Sequence, residues 1–143
     1  MKRAFIVIIV IFYSIIIKAQ DVPKNHIFNS DRLITISDTI LIGVVTYIHS
    51  ELDGDYHVRL KMINTDLKMQ PNNYLKQDSC LILEIVCAHK AIFPMSCSCK
   101  GYINKIIIPK VDDKIKVTGT LVIDKTHNLL EVHPVFFIEI IKP

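Results

Sequence analysis

Histidine and glutamate side chains occupy alternate positions in three segments whose pattern is typical of β-strands. They are His57 in HVRLKM, Glu84 in CLILEIVC, and Glu131 with His133 in LLEVHPVFFIEI. His127 lies in the polar turn that precedes the last of these segments. Proteins use neutral imidazoles and carboxylates to bind divalent transition metals or to act as general acids and bases. These five residues are therefore our candidates for a metal or ligand site, and no catalytic role is assigned.

Glu84 differs from the other candidates in its immediate surroundings. Its neighbours on the same face of the strand are Ile82 and Val86, and apolar surroundings raise the pKa of a carboxyl group. An alternative interpretation is that the histidines and glutamates form ordinary cross-strand pairs on a solvated face. No fixed metal-ligand spacing such as H-E-x-x-H is present. Both interpretations stay open at the level of the sequence.

Two predicted hairpins must position these residues. From Lys114 to Ile141, two alternating runs flank a turn that begins at Asp124 and contains Asn128, both typical turn residues. One face of the second run carries apolar residues, namely Leu130, Val132, Phe136, Ile138 and Ile140. Another hairpin begins at Thr39 and turns at the Asp-Gly-Asp sequence of residues 53–55, a strong hairpin signal.

Five main strands indicate an all-β fold, namely a small five-stranded OB-like Greek-key barrel over residues 39–143. Residues 21–38 form a polar lead-in, with one short edge strand predicted at Arg32 to Ile36. A disulfide-stapled loop or helix is expected between strands 3 and 4, over residues 88–102. A β-sandwich is the alternative, but it needs about seven strands. In an OB barrel the third strand lies between the second and the fifth, so His57, Glu84 and His133 would converge.

Residues 1–20 have the pattern of a signal peptide. Lys2 and Arg3 precede an apolar run from Ala4 to Ile17, and Ala19 offers a small residue for cleavage. A membrane-spanning helix needs roughly 20 apolar residues, so the run is short for an anchor. We therefore expect a secreted or periplasmic protein with no membrane span after cleavage.

The charge balance changes when the signal peptide is removed. The whole chain has 17 basic and 14 acidic residues, and Lys2, Arg3 and Lys18 belong to the signal peptide. The remaining chain then has 14 of each sign and a net charge of zero. Proteins that bind nucleic acid usually carry a basic field, so the balance argues against nucleic acid and favours an envelope ligand or protein as the partner.

Four cysteines in an exported chain predict disulfides. Cys80 and Cys87 flank one extended strand and lie about 23 Å apart at roughly 3.3 Å per residue, too far for a bond. Cys97 and Cys99 are too close in the sequence to be favoured partners. Two pairings remain, either Cys80–Cys97 with Cys87–Cys99 or Cys80–Cys99 with Cys87–Cys97, and we favour the first. A zinc site formed by Cys87, Cys97, Cys99 and His89 is a further alternative, although Cys-Ser-Cys is not the usual zinc spacing.

Several segments together resemble an uncharacterised family of exported bacterial proteins with OB-like domains. The segments are D-G-D-Y-H-V-R-L at 53–60, E-I-V-C at 84–87, C-K-G-Y at 99–102, and D-K-T-H at 124–127 followed by E-V-H-P-V at 131–135. The family pattern pairs a D-G-D-x-H hairpin with a terminal H-x-x-x-E-x-H-P-V segment. The resemblance covers about residues 43–140 and implies an OB-like domain with Cys87 bonded to Cys99. It implies no particular activity.

The turn Asp53-Gly54-Asp55 is also similar to the opening motif of the staphylococcal-type thermonucleases. In that family a second strand bearing an aspartate completes a calcium site, and arginines help to bind phosphate. This chain has no matching R-L-x-x-I-D-T-P segment, and Arg32 and Arg59 are the only arginines after the predicted signal peptide. The similarity is therefore confined to a common turn.

These observations favour an exported OB-like binding or interaction module with an unknown ligand. The sequence has no G-x-S-x-G motif, no P-loop and no dinucleotide fingerprint. The alternative is a metal-dependent hydrolase of the phosphodiesterase or nuclease type, which would use the histidine and glutamate face. No cofactor is certain, and a divalent metal is the one that this face could hold.

Overall fold

The computed structural model describes residues 31–92, 99 and 103–142 and consists mainly of β-strands. The elements are β1 (Leu33–Ser50), β2 (Tyr56–Met62), α1 (Pro71–Lys76), β3 (Leu81–Ile85), β4 (Lys114–Asp124) and β5 (Leu129–Ile140). The predicted signal peptide and residues 21–30 of the lead-in lie outside the described residues. Within the described part of the chain, no helix is long and apolar enough to span a membrane.

The five strands form one closed sheet in the order β1-β2-β3-β5-β4, and β4 pairs with β1 to close the ring. Neighbouring strands are antiparallel except for β3 and β5, which run parallel. The prediction of an all-β fold with five strands in a closed barrel is confirmed. β3 lies between β2 and β5, as the sequence-based argument required for the site residues to converge.

The inside of the barrel is filled by the apolar face that the alternating pattern predicted for most strands. Val58 and Leu60 of β2, Leu83 of β3 and Val117 of β4 have no exposed surface. The rest of the core is likewise aliphatic, and none of the aromatic residues that the structure describes belongs to its fully buried set. Because branched aliphatic side chains fit a pleated surface well, this core fixes the positions of the strands and of the side chains on the outer surface of the barrel.

The core face of β5 changes at the middle of the strand, which the sequence-based assignment of faces missed. Gly119 of β4 pairs with Val135, whereas Leu121 pairs with Val132, so β5 has one extra residue between these pairs. This irregularity lies at His133 and Pro134, where the proline, which cannot donate to the ladder, favours a bulge. As a result, Val135 is fully buried and Phe136, predicted to face the core, is only half-buried.

The predicted edge strand at residues 32–36 is continuous with the first barrel strand. β1 begins at Leu33 and runs for 18 residues, across the predicted boundary between lead-in and barrel at residues 38 and 39. Register shifts occur in β1 against both of its neighbours. Ile40 and Ile42, whose alternation indicated a strand, are 63% and 40% exposed, while Val45 occupies the core.

The single helix among the described residues lies between β2 and β3. Asn73 of this helix is fully buried and binds the backbone of β5. Its Oδ1 accepts a hydrogen bond from the Leu130 N–H at 2.7 Å, and its Nδ2 donates to the Leu130 carbonyl at 3.0 Å. A second bond from Nδ2 reaches the Cys80 carbonyl at 3.0 Å. Asn73 thus fixes the backbone immediately before Glu131.

The segment between β3 and β4 is joined to the barrel by a disulfide. Cys87 and Cys99 are bonded, with their Cα atoms 5.4 Å apart, so the pairing implied by the family resemblance is confirmed. The bond excludes the alternative Cys80–Cys99 pairing. It also means that the sulfur atoms of Cys87 and Cys99 cannot serve as thiolate ligands in the alternative zinc site. Cys80 is a buried free cysteine with its Sγ 3.5 Å from Oγ1 of Thr46, so the prediction that it is bonded to Cys97 is wrong for this structure. Cys97 lies outside the described residues, as do residues 93–96, 98 and 100–102, and the described residues between β3 and β4 contain no α-helix.

Candidate functional site

The outer surfaces of β2, β3 and β5 bring the predicted site residues into two adjacent rows. In one row Ile82 of β3 pairs with Glu131 of β5, and in the other His57 of β2 pairs with Glu84 of β3. Glu84 and His133 each lie two residues beyond the paired Ile82 and Glu131. Since side chains alternate along a strand and β3 and β5 run parallel, these two side chains lie side by side on the same face.

Three of the five predicted site residues form a compact cluster. One potential ligand atom from each of Glu84, Glu131 and His133 lies within 4.8 Å of the others. All three residues are buried, with exposed fractions of 4%, 2% and 8%. The bulge at His133 and Pro134 is part of this arrangement, because it changes the direction of the strand directly after the histidine.

Glu131 has a buried polar atom that the described part of the protein does not satisfy. Its Oε2 has no hydrogen-bond partner among the described residues and almost no exposed surface. Leaving a buried polar group unpaired costs about 1–3 kcal/mol, and more for a charged group. Nearly all buried polar atoms in proteins have a partner, so an exception requires an explanation such as an ion or a ligand.

Electrostatics reinforce this view of Glu131. Burial raises the pKa of its carboxyl group, and the negative charges of Glu84 and Asp124 raise it further, to about 8. The charges of Arg32 and His57 act in the opposite direction but do not offset these effects. In the absence of a ligand, Glu131 is therefore predominantly protonated at neutral pH. A cation placed beside it would favour the ionised form instead.

His57 connects the cluster to the loop between β1 and β2. Its Nε2 lies 2.8 Å from Oε1 of Glu84, and its Nδ1 lies 3.2 Å from Oε1 of Glu51. Burial alone would lower the pKa of His57, but the hydrogen bond to Glu84 and the nearby carboxylate charges raise it to about 9. The charged imidazolium therefore binds Oε1 of Glu84. The other carboxyl oxygen of Glu84 takes no part in this bond.

A cavity of about 410 Å³ opens on this face, and all five predicted site residues line it. Its walls come from β2, β3 and β5, from the loop between β1 and β2, and from the turn between β4 and β5. Carboxylates from Asp53 and Asp55 in the first loop add further negative charge to the lining. The cavity is large enough for a small ligand of several non-hydrogen atoms.

Both arginines that line the cavity already have carboxylate partners. Arg32 Nε lies 3.1 Å from Oδ2 of Asp124. The guanidinium of Arg59 donates to Asp78 at 2.6 Å and lies over the ring of Tyr47, 4.9 Å from its centroid. Because the carboxylates of Asp124 and Asp78 neutralise these two positive charges, the buried carboxyl groups of the cavity are the groups available to a ligand.

His127, the fifth predicted site residue, lies at the rim and not in the cluster. Its Nδ1 is 2.7 Å from Oδ2 of Asp124, and its side chain is 58% exposed. The same aspartate accepts hydrogen bonds from the backbone N–H groups of Thr126 and His127, as expected for a turn-forming residue. His127 therefore stabilises the turn that borders the cavity.

The sequence-based candidates omitted several residues that line the cavity. Glu51, which binds His57, lies in the loop just after β1, where its role depends on the register of the hairpin. Tyr47 and Arg59 face each other on the outer surface, in the cross-strand row next to the one that contains His57. Because side chains alternate along β2, the position of His57 could have identified Arg59 as a residue on the same face. It could not have identified Asp78, the partner of Arg59 in the segment after helix α1.

The chemistry available here is binding of a positively charged or donor group by buried carboxylates. Two carboxylates and an imidazole also match the ligand types of a divalent transition metal. A second group of possible ligands, formed by Asp55, Cys87 and Cys99, is removed by the disulfide.

No protein-family model, curated protein or solved structure matches the chain. Both resemblances proposed from the sequence therefore stay predictions.

Proposed function

We propose that the protein is an exported OB-like binding module whose outer β2-β3-β5 face holds a small ligand. The ring order β1-β2-β3-β5-β4 with parallel β3 and β5 supports the OB-like assignment. In OB-folds the face around strands 2 and 3 and the loops after strands 1 and 4 form the usual binding surface. The cavity described above lies at this position, and a disulfide is consistent with export.

The observation that carries the proposal is the buried Oε2 of Glu131, which lines the cavity without a hydrogen-bond partner among the described residues. A ligand that brings a positive charge or an N–H donor to this atom would remove the cost of burying it. The carboxylate-rich lining also repels phosphates, which argues against nucleic acid as the partner.

A thermal-shift experiment on the purified protein tests this proposal. The panel contains divalent metal ions, aliphatic diamines, guanidinium compounds and, as anionic probes, nucleotides and an oligonucleotide. At 100 times its dissociation constant, a ligand stabilises the folded protein by about 2.7 kcal/mol. We expect a cationic member of the panel to raise the melting temperature of the wild type.

Two variants decide whether the effect arises in the cavity. Glu131→Gln removes the carboxyl group that a cationic ligand would bind and ionise, at almost constant shape, and we expect it to abolish the shift. Glu139→Gln is the matched control, because Glu139 lies on the same strand, is 53% exposed and pairs with Lys116 outside the cavity. A shift that survives Glu131→Gln, or one produced only by the anionic probes, contradicts the proposal.

A metal-dependent hydrolase of phosphodiester bonds is the second candidate. The convergence of Glu84, Glu131 and His133 favours it, because such a cluster could hold a metal that activates water. The test is hydrolysis of bis(p-nitrophenyl) phosphate with Mn²⁺ or Zn²⁺, compared between wild type and Glu84→Gln. A rate no higher than that of the metal ion alone excludes this candidate for that substrate class.

A further inference from the structure

We infer that Glu84, Glu131 and His133 form a binding site for one divalent transition-metal ion on the outer face of β3 and β5. The inference rests on the proposed function, since it names the ligand class that the cavity would take. It does not depend on the hydrolase alternative, because a metal can serve binding as well as catalysis.

The distances between the three side chains are close to those of a metal centre. Oxygen and nitrogen ligands bind Zn²⁺ at about 2.0–2.2 Å in a tetrahedral arrangement, so two ligands of one ion are about 3.4 Å apart. The potential ligand atoms here lie within 4.8 Å of one another. A pair at that upper limit would need to approach by about 1.4 Å on metal binding, through rotation of the side chains.

The backbone that carries the ligands is well fixed. Glu84 lies on the short central strand β3, which is hydrogen-bonded on both sides, and Glu131 is paired directly with Ile82 of that strand. Asn73 holds the residue before Glu131 through two hydrogen bonds. Sites on rigid strands hold their ligands more precisely than sites on loops.

An independent observation distinguishes this cluster from an ordinary group of acidic residues. Glu131 is only 2% exposed, and its Oε2, which lines the cavity, has no hydrogen-bond partner among the described residues. The other carboxylate, Glu84, is held by His57. Glu131 lies beside it with one buried oxygen that has no partner in the described part of the chain, and a dication placed between the two carboxyl groups would bind both.

The types of ligand indicate the class of ion. Ca²⁺ and Mg²⁺ prefer oxygen ligands alone, whereas imidazole suits transition metals such as Zn²⁺ and Fe²⁺. One imidazole with two carboxylates therefore favours Zn²⁺, Mn²⁺ or Fe²⁺ over the alkaline-earth ions. Three protein ligands leave at least one position open toward the cavity, where water or a further ligand could bind. His57 would position Glu84, in the way that outer partners commonly hold metal ligands.

Isothermal titration calorimetry of the full chain, after removal of metals with a chelator and then of the chelator, tests the inference. ZnCl₂ and MnCl₂ are the probes, and CaCl₂ and MgCl₂ are the comparison. We expect one transition ion per chain, at least 100-fold weaker binding in Glu131→Gln, and unchanged binding in Glu139→Gln. For His57→Ala, which removes a positioning residue, the expected loss is about 10–100-fold.

Folding of each variant is checked without metal by circular dichroism and thermal denaturation. Glu131→Gln removes a buried carboxylate beside another, so the metal-free variant should be at least as stable as the wild type. Should it prove misfolded, Glu84→Gln and His133→Asn provide the same test from the other two ligands.

The outcomes separate the inference from the proposed function. Transition-metal binding that is equally strong in Glu131→Gln, or no such binding in the wild type, overturns the inference. If an organic cation nevertheless stabilises the protein in a Glu131-dependent manner, the proposed binding function stands without the metal. If no ligand shows that dependence, both fail.

Discussion

Replacing Asn73 with alanine should destabilise the protein more than any other single change outside the barrel core. The side chain is fully buried and makes four hydrogen bonds. Its Nδ2 donates to the carbonyls of Cys80 and Leu130, both at 3.0 Å. Its Oδ1 accepts from the N–H groups of Leu130 at 2.7 Å and Gln70 at 3.1 Å.

The size of the effect follows from the groups that lose their partner. In Asn73→Ala, three buried backbone groups lose their partner, namely the carbonyls of Cys80 and Leu130 and the N–H of Leu130. Each unsatisfied group costs about 1–3 kcal/mol. Allowing for some entry of water, we expect a loss of about 3–5 kcal/mol in the free energy of unfolding. Since small proteins are stable by only about 5–15 kcal/mol, this is a large fraction of the total.

Urea denaturation followed by circular dichroism, with the disulfide kept oxidised, measures this loss. Asn72→Ala is the matched control, because Asn72 donates only one side-chain hydrogen bond, to the exposed His127 carbonyl at 2.6 Å. We expect about 1 kcal/mol or less for the control. Equal losses in the two variants, or a loss below about 1.5 kcal/mol for Asn73→Ala, would refute the reasoning.

Three further predictions concern pH, packing and the disulfide. Burial alone would raise the pKa of Asp124, but hydrogen bonds from the following turn and the charge of Arg32 lower it. Its stabilising contribution is therefore complete above about pH 4 and lost as the pH falls further. The free energy of unfolding of Asp124→Asn should therefore depend less on pH below about pH 4 than that of the wild type. Gly119→Ala places a Cβ against the backbone and side chains of β5, so urea denaturation should show a loss of about 1–3 kcal/mol. Reducing the bond between Cys87 and Cys99, 12 residues apart, should cost roughly 3 kcal/mol of stability by the loop-entropy estimate, measured with and without reductant.

Each of these has a contrary result. A difference between wild type and Asp124→Asn that persists unchanged from pH 6 to pH 2 contradicts the pKa argument. Full stability of Gly119→Ala means that β5 can move aside at its bulge. An unchanged unfolding transition after verified reduction shows that the disulfide does not restrain the unfolded chain.

The hairpins were predictable because alternation and turn chemistry are local. Asp124 begins a turn whose N–H groups its carboxylate binds, and the Asp-Gly pair at residues 53–54 marks the other turn. The prediction of a five-stranded barrel required only the number of such strands. The burial of Val135 was not predictable from a fixed period of two, since β5 has an extra residue on each side of Val135 and only the first exchange of faces precedes it.

Outward orientation also did not reveal burial. Glu131 and His133 face away from the core as predicted, yet they are only 2% and 8% exposed. Their burial depends on tertiary contacts, which the alternation of residues within one strand does not contain. Asn73 illustrates the same limit, because a polar residue shortly after a proline indicates a turn and gives no sign of its bonds to Leu130.

The most direct test of the central claim is a ¹H–¹⁵N NMR titration of the metal-free protein with Zn²⁺. The account predicts that the largest changes occur at the amides of Glu84, Glu131 and His133 and of their sequence neighbours, and that they are complete at one equivalent. Changes confined to other parts of the surface, or changes that never saturate, would contradict a metal site at the cavity.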